Sequence, residues 1–232
     1  MKVVAFVPIK LNNERLPNKN IKPFTNGKPL ITYILSTLLN VKNIDETYVY
    51  CSDDSITKYL PEGIKFLKRD KYLDLSTTPF NEVLKSFAKQ VSADIYVLTH
   101  ATAPFISSHT IEEGVSAVLN GRGDSALTVQ RLQEFLWADG TPINYDPVNI
   151  PRTQDLKPFY KETCGLYVYG RNLILEENRR VGDKPVLIEV SEIEAVDINT
   201  PNDFILAESM LKMLEGCLLY TSPSPRDRQK SR

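Results

Sequence analysis

An almost unbroken apolar run, KVVAFVPI over residues 2–9, stands near the start of the chain. Valine-rich runs of this kind, without alternation, mark a strand covered on both faces. In KPLITYILSTLLNV, Leu30, Ile31, Ile34, Leu35 and Leu38 fall on one face, which predicts a helix. The pattern then repeats. ETYVYCS predicts a second strand, DSITKYL a short helix, IKFLKR a third strand and TPFNEVLKSFAKQV a helix with Thr78 as N-cap and Pro79 in its first turn. DIYVLTH is a fourth strand, HTIEEGVSAVLN a helix and GDSALTVQRL holds a fifth strand. Between residues 131 and 160 the period is lost among prolines and aromatics, which predicts an excursion from the sheet, either a lid or a subunit contact. Order returns with CGLYVYGRNLILEEN as strand and helix, VLIEVS and AVDI as strands, and a last helix capped by Thr200 with Pro201 and Asp203 in its first turn.

Strands alternating with helices at this spacing imply βαβ crossovers and a mostly parallel sheet in a single α/β domain. Ligands of such sheets sit outside the carboxyl ends of the strands. That rule gathers the loop after Ile9, the SDD after Cys51, Arg69 and the HATAP after Thr99 around one crevice.

The loop VPIKLNNERLPNKNIKPF carries Lys10, Arg15, Lys19 and Lys22 but no glycine. Asparagine tolerates left-handed backbone better than other residues with a side chain. Asn12, Asn13 and Asn18 therefore stand where a phosphate loop would use glycine. Lys10, Arg15 and Lys19 would supply the charge for a triphosphate and its pyrophosphate leaving group. The other reading is a solvated basic loop.

VPIKLNNERLPNKN resembles the N-terminal signature of the sugar-activating cytidylyltransferases, in both the acylneuraminate (CMP-sialic acid) and CMP-Kdo branches. Further segments continue the resemblance in order: YCSDDSI, LTHATAPF, RTQDLKPFYKETCGLYVY and AVDINTPNDFILAE. Together they span about 200 residues and are far more specific than any one alone. Lysine at position 10, Leu11–Asn12 and Asn13 depart from the signature, and a lysine cannot fork onto phosphate oxygens as arginine does.

The resemblance implies a Rossmann-like nucleotide-diphospho-sugar transferase fold, transfer of CMP from CTP to a sialic acid-like sugar, Mg2+ as cofactor and a homodimer. It implies nucleotide contacts from Pro8, Lys10, Asn13, Arg15, Lys19, Asn20 and Arg69. Sugar contacts are implied for His100, Thr102, Arg152, Gln154 and Tyr160, and catalytic roles for Lys10, Arg15, Lys19 and Asp197. The metal falls to Asp197, with Asn199 where the family has a second aspartate. Each has a plainer alternative. Asn199 could simply help cap the last helix, Arg69 could be a surface residue, and Arg152 could pair with Asp155 or Glu162. Asp53 and Asp54 read better as helix caps than as a metal motif, and Trp137 with its neighbouring tyrosines reads as packing or subunit contact. A glycosyltransferase with a similar sheet would want a D-x-D at a strand end, and none is present. A catalytically weakened nucleotide or sugar-phosphate binder stays open, on the missing glycines and Asn199.

Composition changes this picture little. The chain has 232 residues, 42% hydrophobic and 25% charged, and a net charge of −1, which gives no reason to expect nucleic acid or an anionic membrane as partner. No apolar run approaches the roughly 20 residues of a membrane span. Three scattered cysteines, Cys51, Cys164 and Cys217, argue against a disulfide frame and fit a reducing cytoplasm. The last stretch, CLLYTSPSPRDRQKSR from Cys217, has no period and resembles the translation of a sequencing adaptor. It is expected to be a non-native, disordered tail, with the domain ending at Gly216.

Overall fold

The computed structural model describes residues 1–221, with side chains as far as residue 216. Nine strands and five α-helices follow in the order β1 (Val3–Ile9), α1 (Leu30–Leu39), β2 (Glu46–Cys51), β3 (Ile64–Lys68), α2 (Phe80–Gln90), β4 (Ile95–Thr99), α3 (Ser108–Leu119), β5 (Ser125–Leu132), β6 (Trp137–Ala138), β7 (Thr141–Pro142), β8 (Phe159–Gly170), α4 (Arg171–Leu175), β9 (Pro185–Glu189) and α5 (Pro201–Thr221). Seven strands form one sheet in the order β3-β2-β1-β4-β8-β5-β9. Only β8 runs against the others, pairing antiparallel with β4 and β5. The mostly parallel sheet inferred from the strand–helix alternation is thus the observed one.

Both faces of the sheet are covered, as the uninterrupted apolar strands require. Alternate β1 residues divide between the two cores: Val3, Ala5, Val7 and Ile9 pack with α1 and α3, whereas Val4 and Phe6 pack with α2 and α4. Phe6 stacks on Phe87 at 4.0 Å and 7°. A third apolar cluster joins Leu16, Phe24 and Leu30 to Ile198, Phe204, Ala207 and Leu211. It ties the loop after β1 to the last helix across nearly the whole chain.

Several boundaries differ from expectation. The AVDI segment is not a strand. Residues 196–199 run outside any ladder, and Ile198 N donates to Thr102 O at 2.8 Å instead. Helix α2 is capped at Pro79, and Thr78 donates its hydroxyl to Tyr72 O. Pro79 itself takes non-helical backbone (φ −58°, ψ 137°), so the helix begins one position later, at Phe80. The excursion is shorter than its loss of period suggested, because Arg131, Leu132, Phe159 and Tyr160 belong to the β5–β8 ladder. Within it, β6 and β7 form a small hairpin whose turn, Asp139–Gly140, takes positive φ at both positions (50° and 77°). Helix α5 continues past Gly216 to Thr221, so its last turn contains the first residues of the expected tail, and residues 222–232 lie outside the described residues.

Candidate active site

The first strand is the switch point of the sheet: β2 and β3 lie on one side of it and β4 on the other. The loop that leaves β1 therefore opens onto a crevice at the carboxyl ends of the strands. Asn18 takes φ 53°, so one of the three candidate asparagines does supply the left-handed bend, and Asn12 and Asn13 do not. The bend leads into a single turn, Lys19–Ile21, that buries Lys19 and Asn20. Asn20 Nδ2 donates to Lys10 O at 2.9 Å and closes the loop on itself.

Lys19 is turned inward, and its ammonium donates to Ile198 O at 2.6 Å. Burial pushes its pKa down, Asp197 opposes that shift and Arg15 adds to it. Arg15 Nη2 donates to Asn199 Oδ1 at 3.0 Å, and Asn199 Nδ2 donates to Asp197 Oδ2 at 2.6 Å. The cationic loop and Asp197 are thus linked through one amide. Lys10, Asn13, Arg15, Lys19 and Asn199 line a common cavity of about 280 Å³. Asn13 Oδ1 is buried there without a partner among the described residues, so its amide retains a polar atom for a ligand.

The Asp197 segment is held at both ends. Thr102 O and Lys19 fix Ile198. Asp203 accepts from Asn199 N at 2.9 Å and from Thr200 N at 2.7 Å, while Thr200 Oγ1 accepts from Asp203 N, which is the expected capping box. Asn199 therefore both helps enter the helix and bridges Arg15 to the acid. Its amide nitrogen, not its oxygen, faces Asp197. Among the described residues no group of three or more His, Cys, Asp or Glu could hold a metal. Asp197 itself lines a separate cavity, with Gln130, Lys161 and Asp203, and reaches the cationic one through Asn199; a single carboxylate suits Mg2+, which takes few protein ligands and draws the rest from phosphate oxygens and water. Asp197 Oδ1 has no protein partner among the described residues and fits that role.

Beside the first cavity, sharing Lys10 with it, is a second of about 250 Å³ lined by Pro8, Lys10, Arg69, Asp74, Thr78 and Phe80 among others. Arg69 is not a surface residue. It is 5% exposed and pairs with Asp74, which also accepts from Ser52 Oγ. Lys10 Nζ donates to Asp74 O at 3.3 Å. Asp74 was not singled out from the sequence. It lies five residues past Arg69 in an aperiodic stretch, and that spacing was the only available signal.

On the far side of the crevice His100 packs on Phe80 with ring centroids 5.6 Å apart. Burial and the Arg180 cation hold its pKa down to about 4, against the pull of Asp197, so the imidazole is neutral near pH 7. Thr102 contributes its carbonyl to the Asp197 segment. The remaining expected sugar contacts stand apart from these cavities. Arg152 is exposed and pairs with Asp155 at 2.8 Å, the plainer alternative. Gln154 offers its backbone carbonyl to Gln133, and Tyr160 is exposed on β8 opposite Arg131. Asp53 caps the turn after β2 through Ser55 N, as expected.

Comparison with known proteins agrees with this architecture. The chain is 26% identical over 217 residues to the N-acylneuraminate cytidylyltransferase of Oncorhynchus mykiss, covering 89% of this chain and 49% of that protein. It is 23% identical to the CMP-N,N'-diacetyllegionaminic acid synthase of Legionella pneumophila over 94% of this chain and 100% of that protein. The chain thus spans about half the length of the fish relative and all of the bacterial one. A CMP:2-keto-3-deoxy-manno-octonic acid synthetase solved with CTP superposes with a TM-score of 0.70 at 16% identity, covering 92% of this chain and 99% of that one. A 4-diphosphocytidyl-2C-methyl-D-erythritol synthase from Anaerococcus prevotii follows at 0.65 and 14%, covering 91% and 96%. The family model described as cytidylyltransferase matches residues 4–202, from the first strand through the Asp197 segment into the start of α5, and the chain belongs to that family.

Proposed function

We propose that this chain transfers CMP from CTP to an acidic, sialic acid-like sugar, releases pyrophosphate and uses Mg2+. The observation that carries the reading is the convergence of Lys10, Arg15, Lys19 and Asn199 on one cavity, with Asp197 tied to the same Asn199. Cations at fixed positions there would neutralise the triphosphate and the charge that grows on departing pyrophosphate. The sugar's anomeric hydroxyl would attack the α-phosphorus in line, forming the new phosphorus–oxygen bond as the bond to pyrophosphate breaks and the hydroxyl proton passes to solvent. Positioning and charge stabilisation supply most of the rate in such transfers, so no covalent nucleophile is required. Asp197 would hold Mg2+, which when bound adds positive charge beside the phosphates.

The neighbouring cavity suits the base. Arg69 is already neutralised by Asp74, so this wall offers hydrogen-bonding groups without net charge. The chain works as a homodimer whose contact is the 131–160 excursion, which leaves Trp137, Ile143, Val148 and Ile150 exposed. Light scattering of the wild type and of Trp137→Glu with Val148→Glu tests that contact, and a monomeric wild type would refute it. Pyrophosphate release from a panel of sialic, legionaminic, pseudaminic and Kdo acids, each with CTP, ATP, GTP and UTP and with or without Mg2+, tests the reaction. Release confined to CTP, an acid and the metal supports it. CTP binding without release in any combination would instead favour the weakened binder, to which Asn199 in place of an acid lends some weight.

A further inference from the structure

Arg179 and Arg180 stand side by side in the loop after α4, yet their surroundings differ. Arg179 is engaged by Glu177 and Asp183. Arg180 has no ion pair among the described residues. Its guanidinium lies 3.7 Å from the centroid of the Tyr167 ring and 5.5 Å from that of Phe80. The Tyr167 hydroxyl donates to Glu162 Oε2 at 2.6 Å. A guanidinium stacked on a ring is held in orientation, and Arg180 spends none of its N–H groups on a side-chain hydrogen bond among the described residues, which leaves them for bidentate capture of a carboxylate.

Its position connects it to the crevice. Phe80 is shared: it walls the cavity of Pro8, Lys10 and Arg69 and touches both His100 and Arg180. Tyr167 keeps its ladder place opposite Leu127 and Leu98, and just ahead of it the β5–β8 register shifts, with Val129 facing Glu162 and Cys164 at φ 58°. Bulges of this kind re-aim side chains at the rim of a sheet. In a 2-keto sugar acid the carboxylate is bonded to the anomeric carbon, so whatever binds it must lie beside the point of phosphoryl attack.

We propose that Arg180, braced by Tyr167 and Phe80 next to His100, binds the carboxylate of the sugar and is the residue that selects an acidic acceptor. The assignment rests on the acidic-sugar reading above and takes that role from Arg152, which lines neither of the two cavities. The test is steady-state pyrophosphate release by wild type, Arg180→Gln and Arg180→Lys, using the panel acid that wild type turns over fastest and its methyl ester. Arg180→Gln should raise KM for the acid by at least tenfold, leave KM for CTP and Tm unchanged, and discriminate no further between acid and ester. Arg180→Lys should recover part of the loss. If wild type is active and Arg180→Gln keeps KM for the acid within twofold, the assignment is wrong and the function stands. If wild type turns over no acid at all, both fall.

Discussion

Arg69 lines the crevice and Arg180 meets it through Phe80, and the two are handled in opposite ways. Arg69 is sunk into the protein, and its charge is cancelled by Asp74 before any ligand arrives. Arg180 rests on aromatic faces, with no counter-charge among the described residues. The first is a structural strut that can present neutral polarity, the second a charge waiting for an anion. A buried pair costs much to break because the survivor is left uncompensated. A stacked, half-exposed cation costs little to remove.

The comparison can be broken at several points. Asp197→Ala should have the largest effect, a loss on the order of a thousandfold in kcat with unchanged Tm; near-normal turnover would detach the acid from the chemistry and leave the cationic walls without a partner. Asp74→Ala should destabilise the fold by about 3 kcal/mol in a denaturant titration, whereas Arg180→Gln should stay within about 1 kcal/mol. Equal values would erase the distinction between strut and waiting charge. His100 comes next. Its folded pKa, about 4, lies below the unfolded value near 6.5, so the unfolded chain takes up the proton first as pH falls. That contribution to stability is complete above pH 6.5 and is lost between 6.5 and 4. His100→Gln should flatten this acid limb by about 2 kcal/mol in Tm-derived stability measured across that window, and the change should be smaller when Arg180→Gln is already present. The smallest expected effect is at Asn18: replacement by Gly should be neutral, and by Ala should cost about 1 kcal/mol by thermal melting, because only the latter pays for left-handed backbone.

Much of this molecule was legible in the sequence. The unbroken apolar strands called for cover on both faces, and their alternation with helices called for a mostly parallel sheet with its ligand loops at one edge. Thr200 and Asp203 announced their own capping box. What escaped reading depended on contacts between distant segments. Asp197 looked like the end of a strand, yet its place is set by Lys19, Thr102 and Arg15 through Asn199, none of which leaves a period in the chain. Arg180 sits in an irregular loop whose neighbours in sequence are unremarkable, and only the folded chain sets it over Tyr167 of β8. Arg152 lies in a segment that carries the resemblance, yet the fold sets it apart from the cavities lined by Lys10 and Arg69.

The apolar cluster that joins residues 16–30 to residues 198–211 means that the two ends of the chain build one working part. A fragment trimmed before Pro201 would retain the sheet and most of its core. It would nevertheless lose the floor beneath the cationic loop, and with it the registry between Lys19 and the acid, so removing a helix from the back of the protein should silence the site at its front.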